Sequence, residues 1–244
     1  MQVNQGGTVT ANRVSGKIRL DSANPAKEWR TAEAIRFSAD WQGINGDPAL
    51  ETEVRVLWSA EALYLRFVCR YQGLFMFEDS DSNGRRDHLW DRDVAEAFLQ
   101  PPECIAEESR TALGEAVGGA RHSTIKYLNV DKDFDAPYAR YKEFEIAPNG
   151  MWVDLDIIPG GRGDLRSGLT RSVHIDESAK IWIAEMAIPM ISLTAKFDPN
   201  ENWRTNFYRV EGKAEPRKYL AWQPTMAPEP NFHIPEKFGV MRFR

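Results

Sequence analysis

The stretch Arg140-Tyr-Lys-Glu-Phe-Glu-Ile-Ala-Pro-Asn-Gly-Met-Trp-Val-Asp-Leu-Asp-Ile-Ile158 decides how this chain folds. Two runs that alternate apolar and polar side chains, 140–147 and 151–158, flank Pro148-Asn149-Gly150. Period-two alternation is the mark of a strand with one buried face, and Asn-Gly is the strongest short-range hairpin signal. A two-residue loop would pair Ile146 with Val153 and Phe144 with Leu155 on the core face. Glu145 would then meet Asp154, and Glu143 would meet Asp156, on the other face. Like charges directly across a strand pair are unfavourable, so those four carboxylates need cations. Arg204 and Arg209 are candidates, and calcium is the other solution.

The same grammar recurs along the chain. Residues 52–58 and 63–70 flank Ser59-Ala-Glu-Ala62, and residues 171–176 and 180–188 flank Glu177-Ser-Ala179. Trp203–Val210, Lys218–Trp222 and Phe238–Phe243 read as three further strands. Short strands punctuated by turn signals predict an all-β chain, a single antiparallel β-sandwich over residues 1–244. Cys104–Ala120 differs: its Glu/Ala composition suits a short helix that Gly114, Gly118 and Gly119 would end. It reads as part of an insertion over about 104–136, not a second domain.

Composition narrows the function classes. With 244 residues and 42% hydrophobic content, the chain can build a proper core. A net charge of −5 with scattered Lys and Arg argues against a nucleic-acid groove. No apolar run is long enough to span a membrane. Met1–Gly7 is polar, so no signal peptide is visible. Two cysteines exclude a disulfide framework. A Cys69–Cys104 bridge is possible, but a buried free thiol at Cys69 is the commoner arrangement. Nucleophile elbow, zinc-protease helix, P-loop and dinucleotide fingerprint are all missing. The four histidines show no metal-ligand spacing.

The chemistry concentrates in Leu89-Trp-Asp-Arg-Asp-Val-Ala-Glu-Ala-Phe-Leu99. From Val94 the run is a strand with Ala95, Ala97 and Leu99 on one face and Val94, Glu96 and Phe98 on the other. Glu96 therefore lies mid-strand among apolar neighbours, where a carboxylate is costly unless paired. Trp90 stands at the strand mouth. A flat ring beside a carboxylate suits a sugar, which offers an apolar C–H face and hydroxyls that need partners. A core Trp with a salt-bridged Glu is the structural alternative. Glu96 and Glu185 are the candidates for a hydrolytic carboxylate pair, with nothing in the sequence to set their separation. Glu78-Asp-Ser-Asp-Ser-Asn-Gly84 places Asp79, Asp81 and Asn83 in a loop with a weak calcium-site look. A solvated surface turn explains it equally.

Taken together, three blocks resemble carbohydrate-binding module family 9: Trp90–Leu99, Glu143–Asp156 and Trp182-Ile-Ala-Glu-Met-Ala-Ile-Pro189. Trp203–Arg209, Ala221-Trp-Gln-Pro-Thr225 and Phe232–Gly239 continue the resemblance, and Ile18-Arg-Leu-Asp21 with Trp29 resembles the family's first strand and turn. The resemblance implies a non-catalytic, bacterial-type, lectin-like β-sandwich that holds a terminal sugar or short glycan between two aromatic plates. It carries Trp90 over as one plate and Glu96 as acceptor of sugar hydroxyls. Trp222, then Trp203, is the choice for the second plate, with Asn206 and Gln223 as polar ligands. It also implies possible structural calcium, no organic cofactor, and an extracellular or periplasmic setting. The partner is an oligosaccharide or polysaccharide end, not nucleic acid or membrane. Related cytochrome-type sandwiches bind haem, but Met76 has no nameable His partner. A glycan-active enzyme using the acidic face, and a protein-interaction or scaffold sandwich with a lost sugar site, are the alternatives.

Overall fold

The computed structural model describes residues 7–105, 140–159 and 161–244. Among these residues the strands are β1 (Thr8–Arg13), β2 (Ala34–Phe37), β3 (Thr52–Trp58), β4 (Ala62–Arg70), β5 (Val94–Gln100), β6 (Tyr141–Ile146) and β7 (Trp152–Ile158). They continue with β8 (Gly161–Asp164), β9 (Thr170–Asp176), β10 (Ile181–Pro189), β11 (Trp203–Glu211), β12 (Lys218–Ala221) and β13 (Gly239–Phe243). Hydrogen bonding runs in the order β8-β7-β6-β5-β11-β13-β1-β3-β4-β10-β9, with β12 added to β11 and β2 to β3. The sheet curls over at β1 into two facing layers, an all-β sandwich-like fold.

The core lies between the layers because alternate residues of both turn inward. Val54, Leu65, Phe67, Trp182 and Met186 from one layer join Ala95, Leu99, Phe144, Phe207 and Met241 from the other in a single cluster. The parity read for Val94–Leu99 holds: Ala95, Ala97 and Leu99 enter this cluster, while Val94 and Phe98 belong to a second one on the outer face.

The sandwich is not wholly antiparallel. β1 runs parallel to β13 at Thr8–Ala11 and parallel to β3 at Asn12–Arg13. One strand thus bridges both layers. Its polar composition hid it from sequence reading, although Val9 and Ala11 alternate into the core. Ile18–Asp21 is not a strand. It crosses the outer face of one layer and is tacked there by side chains: Asp21 N–H donates to Glu185 Oε2 (2.9 Å) and Ser22 N–H to Ser172 Oγ (3.0 Å). The helix expected over Cys104–Ala120 and the insertion to Ala136 lie outside the described residues, apart from helical residues 102–105. Cys69 is a fully buried free thiol, and burial pushes it up.

The β6–β7 hairpin corrects a register. Ala147 N–H donates to Met151 O (2.8 Å) and Gly150 N–H to Ala147 O (2.9 Å). The loop therefore has three residues, a turn with Pro148 in its second position followed by Gly150 at φ +84°. Ile146 pairs with Trp152, Glu145 with Val153, Phe144 with Asp154 and Glu143 with Leu155. A one-residue slip moves a whole side-chain set to the opposite face. The four carboxylates consequently divide. Glu143 and Glu145 face outward, while Asp154 and Asp156 point to the other side, near Arg85 and Lys142 respectively. Neither expected cation serves them. Arg204 binds Gln100 Oε1 (2.6 Å), and Arg209 is fully buried on the core side, against Glu211 Oε2 (3.1 Å) and the Trp182 ring.

A Cβ at Gly150 would sit 2.9 Å from Val173 Cγ2 in a left-handed conformation. Gly150→Ala should cost about 1–2 kcal/mol of stability, read as a lowered urea midpoint at unchanged slope.

Candidate functional site

Cross-strand partners share a face, and pairing assembles the site on the outer surface of the β5 layer. On one side of β5, Glu96 lies opposite Glu145 and Phe98 opposite Glu143. On the other side, Glu96 lies opposite Tyr208 and Phe98 opposite Asn206. Leu155 of β7, Arg162 of β8, Val210 of β11 and Tyr219 of β12 complete the floor and walls. Trp90, on the short 3-10 turn Leu89–Asp91, and the loop Pro230–His233 rise above it. Together they enclose a cavity of about 250 Å³.

The rings around the rim are braced. The Arg162 guanidinium sits 4.9 Å from the Trp90 ring centroid, and the His88 ring 4.7 Å from it. Arg162 is itself held by both Asp87 carboxylate oxygens (2.6 and 3.2 Å). Arg217 donates to Trp90 O (2.6 Å), lies over the Tyr219 ring and pairs with Glu215 (3.1 Å). The Tyr219 hydroxyl also donates to Glu215, which those bonds bring down to about 2, while burial and Glu215 push the phenol up to about 12. Phe232 stacks on Tyr208 at 4.0 Å.

The floor is acidic and short of donors. Glu96, Glu143 and Glu145 are 2%, 3% and 0% exposed. Among the described residues, Glu96 Oε1, Glu143 Oε2 and both Glu145 oxygens have no hydrogen-bond partner. Burial, then the neighbouring Glu143 charge, pushes the Glu96 carboxyl well above its usual range. Burial, then the Glu96 charge and the neighbouring Glu143, does the same to Glu145. Removing an unpaired carboxylate from water costs several kcal/mol, so such a group stays protonated until a cation or donor arrives. His233 lies 3.9 Å from Glu143 Oε2 and hydrogen-bonds through Nδ1 to the Tyr141 hydroxyl. Burial holds its imidazole below the usual value, which favours the neutral ring.

Of the residues read from the sequence as sugar ligands, Trp90 and Glu96 line this one cavity; Trp203, Trp222, Asn206 and Gln223 do not. Trp203 is 1% exposed and packs edge-on against Phe197 and Phe243 in the inter-layer core, because odd positions of β11 point inward. Trp222 follows Ala221 with the opposite facing and rests on Phe207, with its ring edge at Gly7 and Gly239. Tyr219, two residues before Ala221, is the β12 ring that reaches the cavity. Asn206 is fully buried and occupied: it donates to the Tyr208 hydroxyl and to Gln223 O, and accepts from Phe207 N and Gln223 N. Gln223 accepts from Gly7 N–H (2.8 Å). Glu185 belongs to the other layer, paired with Arg66, and is no partner for Glu96. Sequence reading missed Arg162, Arg217, Tyr219, Asn231, Phe232 and His233. Strand parity alone could have flagged Tyr219.

The loop Asp79–Asn83 does not offer a calcium donor set. Asp81 Oδ1 already accepts the N–H groups of Asn83 and Arg85 (both 2.8 Å), which lowers its carboxyl, and Asp79 faces Arg86. Among the described residues no group of three His, Cys, Asp or Glu is arranged to hold a metal ion.

Comparison with known proteins agrees with the fold and the resemblance. A sequence model of carbohydrate-binding family 9 matches residues 176–243. A protein of Arthroderma benhamiae described as an extracellular protein is 22% identical over 214 residues, 80% of each chain. Among solved structures, a Bacteroides uniformis protein proposed to bind carbohydrate superposes with a TM-score of 0.64 at 16% identity, over 98% of this chain and all of that one. A family 9 module from Caldicellulosiruptor kristjanssonii, solved with cellotriose, gives 0.57 at 12% identity over 98% and 94%. The same module with glucose gives 0.57 over 98% and 96%. The chain thus resembles carbohydrate-binding family 9 in sequence over 176–243 and shares its fold nearly end to end.

Proposed function

We propose that this protein binds carbohydrate without cleaving it, taking a terminal sugar into the cavity between Trp90 and the Tyr219–Phe232 wall. The observation that carries the reading is the pairing of an aromatic rim with buried glutamate oxygens that lack partners among the described residues. A sugar satisfies both needs at once, its C–H face on a ring and its hydroxyls on the acceptors. The glucose and cellotriose seen on the Caldicellulosiruptor module support the ligand class. The extracellular relative supports a setting outside the cell.

Calorimetric titration with glucose, cellotriose and a panel of other mono- and oligosaccharides tests this. A saturable signal is expected in the micromolar to millimolar range, about −8 to −4 kcal/mol. Silence across the panel, or release of reducing ends that is lost in Glu96→Gln, would overturn it.

A further inference from the structure

We infer that the sugar this cavity selects carries a protonated amine: the ligand is the end of an amino sugar with a free ammonium group, seated on Glu96, Glu143 and Glu145. This rests on the carbohydrate reading and narrows it. The first argument is charge. Among the described residues the charged or titratable groups facing the glutamates are Glu96 on β5, Tyr141 on β6, Arg162 on β8, Tyr208 on β11, Arg217 and Tyr219 at β12, and His233 in the loop above. Arg162 is matched by Asp87 and Arg217 by Glu215, both at the rim. Tyr208 and Tyr219 are pushed up, which keeps both phenols neutral, and His233 is held toward its neutral form. The arginine charges are thus answered locally, and among the described residues the three carboxyls on the floor have no cation of their own.

The second argument is valence. Four buried carboxylate oxygens have no donor among the described residues. An ammonium presents three N–H donors with a full charge, whereas a hydroxyl presents one without. The third is the rim. Trp90 and Tyr219 each already hold a guanidinium near their ring, so the π-faces here sit in a cation-attracting field.

Binding has a proton balance. Before the ligand arrives, burial favours the protonated carboxyls; the ammonium stabilises their ionised form, and the displaced protons go to solvent. The carboxyls ionise more readily as pH rises, so preference for the amine grows from about pH 5 to about pH 7 while the amine stays charged.

The test is calorimetric titration of the whole protein with D-glucosamine, D-glucose, N-acetyl-D-glucosamine and cyclohexylamine, in two buffers of different ionisation enthalpy. At pH 7 glucosamine should bind at least about tenfold tighter than glucose or N-acetylglucosamine, with net proton release, and at pH 5 the ratio should shrink. In Glu145→Gln the ratio of glucosamine to glucose affinity should fall to about one, whatever the change in either affinity; Glu96→Gln provides the same comparison if the first variant does not fold. Equal affinity for glucose and glucosamine would overturn the amine assignment and leave carbohydrate binding standing. Cyclohexylamine binding as tightly as glucosamine, with glucose silent, would keep the cation site and overturn the carbohydrate reading. No response to any of the four would overturn both.

Discussion

Trp90→Ala should weaken sugar binding by about ten- to hundredfold while the protein stays folded. The ring is half-buried, packed at the margin of the outer cluster, and its loss removes the flat face opposite the glutamates. Stacking on a desolvated aromatic ring is worth about 1–3 kcal/mol in sugar-like and base-like contacts, which corresponds to that range of affinity. Trp90 O still accepts from Arg217, since that bond uses backbone, so the turn survives. Arg162 loses a ring contact but keeps both bonds to Asp87. Calorimetry for affinity and a urea midpoint for stability separate the two effects. Unchanged affinity in a folded variant would show that the sugar does not use this ring.

The largest loss of stability is expected far from the cavity, in Arg66→Ala, at about 3–5 kcal/mol. Arg66 and Glu185 face each other across β4 and β10, and the Glu185 side chain is fully buried. Glu185 Oε2 also accepts Asp21 N–H, so the pair anchors the segment that crosses this face. Without the guanidinium, a buried carboxylate keeps one backbone donor and must protonate or drag water inward. Replacing both partners, as in Arg66→Met with Glu185→Leu, should recover most of the loss because no charge is left stranded. Equilibrium urea unfolding of the single and double variants reads this directly. A single-variant cost under about 1 kcal/mol would mean that the pair is hydrated in solution.

Strand positions were readable because alternation is a local property. Thr52–Trp58 came out with the boundaries that were read, and β4, β9, β10, β11 and β13 lie within a residue or so of expectation. The polar strand β1, and the short strands β2 and β8, have too little alternation to announce themselves. The hairpin register failed on a single residue: Asn149-Gly150 was read as a two-residue loop, whereas Pro148 opens a turn that needs three. That difference decides whether Glu143 faces Asp156 or lines a cavity.

Sequence alone was sufficient for the all-β class, for setting Glu96 on the β5 face opposite Ala95, Ala97 and Leu99, and for Trp90 at its mouth. Each follows from spacing within a few residues, where backbone geometry leaves two faces to choose from. Tertiary structure decided which other groups meet them. Glu145 comes beside Glu96 by pairing of β5 with β6, and Tyr219 reaches the cavity through β11 and β12. Arg162 reaches it from β8, and His233 from a loop more than a hundred residues downstream. Trp203 and Trp222 look as suitable as Tyr219 in composition, yet the facing of β11 and the end of β12 turn both away from the cavity. Long-range partners depend on strand order and register, and those are settled by how the two layers bury their common core.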